Sequence, residues 1–170
     1  PITRDEIVLD DTFAKSLIIN KDGKKIGYIY LPEFYLDVNR DNGARCSQDV
    51  AKEVTKLKAE GVDGIVMDLR SNPGGSLPEV VNMAGLFIKQ GPIVQAKDKN
   101  GAPYIWRDND PSVLYDGPLT VMVNEGSASA SEIFAAAMQD YHRAIVVGST
   151  STYGKGTVQK PVPLGKPNFM

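Results

Sequence analysis

Near the start of the chain, short apolar runs alternate with polar ones. Leu17-Ile18-Ile19-Asn20 and Lys25-Ile26-Gly27-Tyr28-Ile29-Tyr30-Leu31-Pro32 flank Asp22-Gly23, a pattern that predicts a β-hairpin over 17–32. From Ser47 to Gly61 the apolar positions Val50, Val54, Leu57 and Ala59 recur near helical spacing among Lys and Glu, predicting an amphipathic helix with Gly61 just past its end. Gly64 to Leu69 reads as a buried strand stopped by Asn72-Pro73-Gly74-Gly75, and Leu77 to Ile88 as a broadly apolar helix from Pro78 that closes at Gly91. Two strands are predicted over 92–97 and 102–106 around an Asn100-Gly101 turn, then a buried strand over 119–123. The Ala-, Met- and Gln-rich segment 129–141 predicts a helix and Ala144 to Val147 a strand, while Lys160 to Met170 holds three prolines and no periodicity. Strand, glycine-bearing loop and helix thus recur at 64–88 and 119–141, which argues for α/β layers with helices packed on a sheet.

Composition narrows the chemistry. The 170 residues suit one domain, and 42% apolar with 24% charged residues are ordinary globular proportions. One Cys and one His leave no Cys/His zinc site and no disulfide within the chain. A net charge of −2 gives no footprint for nucleic acid. No apolar stretch approaches the ~20 residues of a spanning helix. Pro1-Ile2-Thr3-Arg4 has no signal-peptide pattern, and a start at Pro reads as a piece of something longer.

Ser127-Ala128-Ser129-Ala130-Ser131-Glu132 lies between a predicted buried strand and a predicted helix, where a turn exposes a side chain at the sheet edge. A serine there suits nucleophilic catalysis, because the following helix aims free N–H groups and its positive dipole end at the same spot. Ser129-x-x-Glu132 equally fits a capping box. His142, 13 positions after Ser129, would lie about 20 Å away along the helix. It is therefore read as a loop or helix-end residue, and no Ser-His-Asp triad is expected. The remaining base is a lysine, best Lys155 in Tyr153-Gly154-Lys155-Gly156-Thr157-Val158-Gln159. A lysine serves as a base only when neutral, so it must be desolvated from its ordinary pKa of ~10.4 toward neutrality. Tyr153 and Val158 are expected to help bury it, and Gln159 to orient the amine without adding negative charge. Arg70-Ser71-Asn72-Pro73-Gly74-Gly75 supplies glycine N–H groups for half of an oxyanion hole, with Ala130 N–H as the other half. Neither glycine loop has P-loop spacing. A lone lysine or Asn-Pro-Gly-Gly turn is otherwise an ordinary surface feature.

Taken together, Asp68 to Gly75, Ser127 to Tyr141 and Tyr153 to Gln159 closely resemble the carboxyl-terminal processing peptidases, also called tail-specific proteases. The resemblance runs from about Thr3 to Gln159 and is nearest to the bacterial periplasmic branch, whose segment before the core also resembles Gly27 to Tyr35. It implies a crotonase-like (ClpP-like) layered α/β core and a serine endopeptidase cleaving polypeptides with apolar C-terminal tails through an acyl-enzyme. By motif position Ser129 matches the nucleophile, Lys155 the general base and Gln159 the residue orienting it. Gly75 and Ala130 match the oxyanion donors, with Gly74 the neighbouring candidate. The resemblance further implies no metal or organic cofactor, a periplasmic or cell-envelope location and an envelope adaptor protein as partner; deprotonation of a lysine base predicts activity rising toward mildly alkaline pH. Two departures stand out. Lys155 follows Ser129 by 26 positions, one more than the family interval. The family's PDZ-like domain and later core elements have no counterpart in residues 1–170, which read as a single excised core with 1–12 as the trailing edge of the preceding module. Two competing expectations are a catalytically silent peptide- or lipid-binding domain on the same fold and, more remotely, an acyl-CoA enzyme using the two oxyanion loops.

Overall fold

A computed structural model describes residues 12–159 apart from Asp41, Asp98 and Asn100. The Asn100-Gly101 turn, most of the 1–12 segment and 160–170 therefore lie outside the described residues. The hairpin forms as predicted: β1 (Lys15–Lys21) pairs antiparallel with β2 (Lys24–Tyr30). Asp22 and Gly23 both take positive φ, 50° and 76°, matching the twist of a two-residue hairpin. β3 (Gly64–Asp68) lies parallel to β2, β6 (Leu119–Val123) parallel to β3, and β7 (Ile145–Gly148) parallel to β6, giving a five-stranded sheet of order β1-β2-β3-β6-β7. β4 (Gly91–Ala96) and β5 (Tyr104–Asp108) form a separate antiparallel pair.

The helices are α1 (Cys46–Ala59), α2 (Leu77–Gly85) and α3 (Ala130–Asp140). They cover the sheet face that carries Ile29, Met67 and Val121, and one apolar core joins Leu57, Met83, Phe134 and Met138 to those strand residues. A side chain at Gly27 would strike Leu57 of α1 at 2.7 Å, so glycine there sets how closely α1 approaches. On the other face the register aligns Leu17, Tyr28, Val66, Thr120 and Ile145 in one row across all five strands. Leu17 and Ile145 on this face are 52% and 69% exposed.

Several boundaries differ from expectation, most of all at the end of α2. Helix α2 stops at Gly85 rather than Ile88: Leu86 and Phe87 tighten onto the Met83 and Ala84 carbonyls, and the Leu86 carbonyl accepts Leu114 and Tyr115 N–H instead of continuing the ladder. β5 begins two residues later than predicted, at Tyr104. Connections leaving the C-terminal ends of adjacent strands β3, β6 and β7 carry Gly75, Ser129 and Lys155 respectively. Sheet order thereby gathers at one end what the sequence separates.

Candidate active site

Ser129 is the N-cap of α3 with φ 54° and ψ −111°, a conformation costly for a non-glycine residue. Its neighbours hold it there. Ser127, fully buried, donates to the Leu69 carbonyl at 2.7 Å and accepts Asn124 N–H at 2.9 Å. Ser131, also fully buried, donates to the Asn72 carbonyl at 3.0 Å, and Ala128 N–H reaches the same carbonyl at 2.9 Å. The flanking serines are thus structural, and the middle one is half-buried at the surface. Its hydroxyl faces the Glu132 N–H as in a capping box but outside good hydrogen-bond geometry, whereas the Glu132 carboxylate does accept Ser129 N–H, at 2.8 Å.

Asn72 fastens the glycine loop. Fully buried, it donates from Nδ2 to the Leu31 carbonyl and accepts Gly74 N–H through Oδ1, both at 2.9 Å. Gly74 (φ 100°) lies so close to the serine turn that a Cβ would meet Ser129 Cβ at 2.7 Å, and a Cβ on Gly75 (φ 140°) would meet the Phe34 carbonyl oxygen at 2.3 Å. Phe34 brackets this loop, donating to the Gly74 carbonyl and accepting Ser76 N–H, each at 2.8 Å. Gly75 N–H and Ala130 N–H have no acceptor among the described residues. At the loop's origin Asp68, 2% exposed, accepts from Arg70 Nη2 at 2.7 Å and from the Tyr28 hydroxyl. Burial alone would raise its pKa, but those two donors outweigh it and hold the carboxyl below its ordinary value.

Glu132 joins the third loop to the serine. Its Oε1 accepts the Thr152 hydroxyl at 2.7 Å and Gly154 N–H at 2.6 Å, and its Oε2 accepts Ser129 N–H at 2.8 Å and Lys155 N–H at 2.9 Å. Partial burial pulls its pKa upward, yet the bonds from Thr152, Gly154, Ser129 and Lys155 prevail and leave it below the usual glutamate value. In sequence, Glu132 was visible only as half of a capping box, and Asn72 and Thr152 carried no signal beyond turn and loop composition.

Gly75, Ser129, Ala130, Lys155 and Gln159 all line one cleft of about 320 Å³, with Leu77, Ile133 and Val158 as its apolar wall. Among the described residues no hydrogen bond joins Ser129 Oγ to Lys155 Nζ, and Gln159 Nε2 donates to Thr157 Oγ1 at 2.9 Å rather than contacting the lysine. The expected cover is not formed either: Tyr153 and Val158 are 69% and 62% exposed, and Lys155 is exposed between them. Tyr153 and Val158 leave most of their surface to solvent, Val158 giving the rest to the cleft wall, so neither closes over the amine. His142 lies beyond α3 at φ 52°, in a cleft at the opposite end of the sheet with Asp63 and Asp116.

The tail-specific protease of Haemophilus influenzae is 43% identical over 159 residues, which is 94% of this chain and 22% of that protein. A carboxyl-terminal-processing protease of Picosynechococcus is 38% identical over 93% of this chain and 35% of its own length. The chain therefore spans about a fifth to a third of the relatives it matches. The solved structure of a photosystem II D1 C-terminal processing protease superposes with a TM-score of 0.74 at 28% identity, covering 94% of this chain and 41% of that one. Mature CPAF complexed with lactacystin, at 18% identity and a TM-score of 0.63 over 87% of this chain and 43% of its own, shares the layered α/β fold. Residues 25–170 match Peptidase family S41, and the chain belongs to that family.

Proposed function

We propose that this chain is the core of a serine endopeptidase in which Ser129 is the nucleophile, Lys155 the general base and the N–H groups of Gly75 and Ala130 the oxyanion hole. One observation carries the reading: these residues converge on a single cleft, where two backbone donors lack an acceptor among the described residues. A neutral Lys155 amine takes the proton of Ser129 as Oγ attacks the substrate carbonyl carbon. The carbonyl oxygen becomes an oxyanion facing Gly75 and Ala130, a kind of interaction worth roughly 10²–10³ in rate per donor. Breakdown cleaves the C–N bond, the lysine ammonium gives its proton to the leaving amine, and an ester remains on Ser129. Water, deprotonated by the same lysine, then attacks that ester and frees the serine. Gln159 spends Nε2 on Thr157, which leaves Oε1 to accept from the lysine amine. An apolar substrate entering the cleft excludes water from the exposed amine and disfavours its charged form.

The names of the relatives, tail-specific and carboxyl-terminal-processing, support polypeptides selected at their C-termini as the substrate class, and the motif resemblance adds apolar tails. The same resemblance motivates a periplasmic or envelope setting and an envelope adaptor as partner. Residues 1–170 are then a peptidase core acting beside a PDZ-like domain and later core elements of a longer protein. Leu17 and Ile145, exposed at the two ends of the row across the five strands among the described residues, support this arrangement, since parallel sheets are normally buried on both faces.

The missing Ser129–Lys155 hydrogen bond favours a second reading, a silent peptide-binding domain. Labelling of Ser129 by a fluorophosphonate separates the two, measured alongside cleavage of an unfolded polypeptide by the full-length protein. Labelling and cleavage that both vanish in Ser129→Ala and Lys155→Ala support the dyad. Peptide binding with neither labelling nor cleavage overturns it.

A further inference from the structure

A second cavity, about 390 Å³, opens from the same serine on the side away from the glycine loop. Its floor is one stripe of α3. Ser129, Glu132, Ile133, Ala136, Ala137 and Asp140 follow helical spacing, so the trough runs the length of the helix. At 1.5 Å per residue that is about 16 Å, the span of roughly five residues of extended peptide. Alanines in mid-floor leave the width open, and Ile133 is shared with the oxyanion cleft, marking the point where the two cavities meet beneath Ser129.

One wall is the Gly154 to Gly156 loop and the other is β4, through Ile93 and Val94. Among the described residues β4 pairs only with β5, so its other edge offers unpaired N–H and C=O groups. The ladder slips between Pro92 and Val94, leaving Ile93 without a partner on β5, and a bulge of this kind re-aims a side chain out of the regular pleat. The Tyr141 hydroxyl donates to the Pro92 carbonyl at 2.9 Å and ties the strand to the far end of α3.

The geometry points to this trough as the seat of an extended stretch of the polypeptide substrate, added as a third strand on β4 with aliphatic side chains taken up at Ile93 and Ile133. Strand addition supplies affinity through the main chain and selects side chains through the pockets between. A segment held this way is stretched past Ser129, as attack on a peptide carbonyl requires. This assignment rests on the peptidase reading above.

The test uses the full-length protein carrying Ser129→Ala, with the photoreactive residue benzoylphenylalanine in place of Ala136 and, separately, in place of Gln139, which is exposed on the same helix but outside the trough. Each is irradiated with a biotinylated unstructured peptide of alternating aliphatic and polar residues. The expected result is a peptide adduct from position 136 and none from 139. No adduct from 136, or equal adducts from both, overturns the assignment. Because Ser129→Ala needs no turnover, the outcome stands apart from the dyad: wild-type protein that cleaves the peptide without a 136 adduct sinks the trough alone, and a 136 adduct without wild-type cleavage or fluorophosphonate labelling sinks the dyad alone. In the cleaving enzyme, Ala136→Trp is expected to lower kcat/KM at least tenfold.

Discussion

Glu132 Oε2 accepts the backbone N–H of Lys155 at 2.9 Å while also accepting that of Ser129 at 2.8 Å. One carboxylate oxygen therefore fixes the main chain of Ser129 and of Lys155, the proposed nucleophile and base, at a common point. The other oxygen, through Thr152 and Gly154, fixes the approach to Lys155. The 26-position interval from Ser129 to Lys155 is compatible with this attachment, since both main chains reach the same oxygen.

Replacing Glu132 by Gln removes two of the acceptor lone-pair directions and points an N–H₂ group at backbone donors. The base loop loses its register with the serine. A misplacement on the order of 1 Å costs about 10²-fold in rate. Steady-state kinetics of the full-length Glu132→Gln variant are expected to show that loss in kcat, with KM within a few-fold of wild type. A change confined to KM would place Glu132 in substrate binding instead.

The same substitution has a pH signature. Glu132 has a depressed pKa in the folded protein, so its contribution to stability is complete above the unfolded-state value of about 4.3 and is lost as pH falls through the folded-state value. Asp68, also depressed, titrates in both proteins and cancels from the difference. The gap in Tm between wild type and Glu132→Gln should be flat from neutral pH to about 4.3 and narrow below it. A gap that widens on acidification contradicts the charged, hydrogen-bonded state.

Much of this framework was legible in the sequence, and what was not has identifiable causes. Helical spacing located α1, and apolar runs bounded by glycine, proline and asparagine turns located the strands and α2, because burial and turn chemistry both leave local marks. The α2 end was overextended because Leu86 to Ile88 stay apolar and packed after the helix stops: side-chain burial continues where the hydrogen-bond ladder does not. Gly75, Ser129, Ala130, Lys155 and Gln159 were named from motif position, and they line one cleft. Asn72 and Thr152 were not found, since their importance lies in contacts 41 and 20 positions away that no local spacing encodes. Burial of Lys155 by Tyr153 and Val158 was misjudged because apolar character in a loop does not supply a surface to pack against.

Ser127 and Ser129 should separate cleanly in urea denaturation. Ser127→Ala removes the donor to the buried Leu69 carbonyl and the acceptor of the half-buried Asn124 N–H, a loss of about 1–3 kcal/mol. Ser129→Gly relaxes the positive φ and is expected to raise stability by about 1 kcal/mol while abolishing fluorophosphonate labelling. A destabilised Ser129→Gly would mean that the hydroxyl caps α3 after all.

Asn72→Ala tests the glycine loop. It removes the acceptor of Gly74 N–H and the donor to Leu31, leaving two buried backbone groups unpaired at about 1–3 kcal/mol each. Stability should fall by about 2–5 kcal/mol. Because Gly75 is presented by that loop, acylation of Ser129 should slow as well, and single-turnover burst kinetics would read the two effects separately.

Lys155 can be tested without removing its positive charge. Lys155→Arg keeps a long cationic side chain but presents a guanidinium that does not deprotonate in proteins. The backbone N–H that Glu132 holds is unchanged by the substitution, and the side chain is exposed, so fold and loop position are retained. If the amine acts as a proton acceptor, Lys155→Arg should be as inactive as Lys155→Ala, with peptide binding within a few-fold of wild type. If Lys155 serves only as a positive charge attracting substrate, Lys155→Arg should retain most of kcat/KM and only Lys155→Ala should lose it. Cleavage rates of the two variants on one unfolded polypeptide, with binding measured in the Ser129→Ala background, therefore distinguish proton transfer from electrostatics at this position.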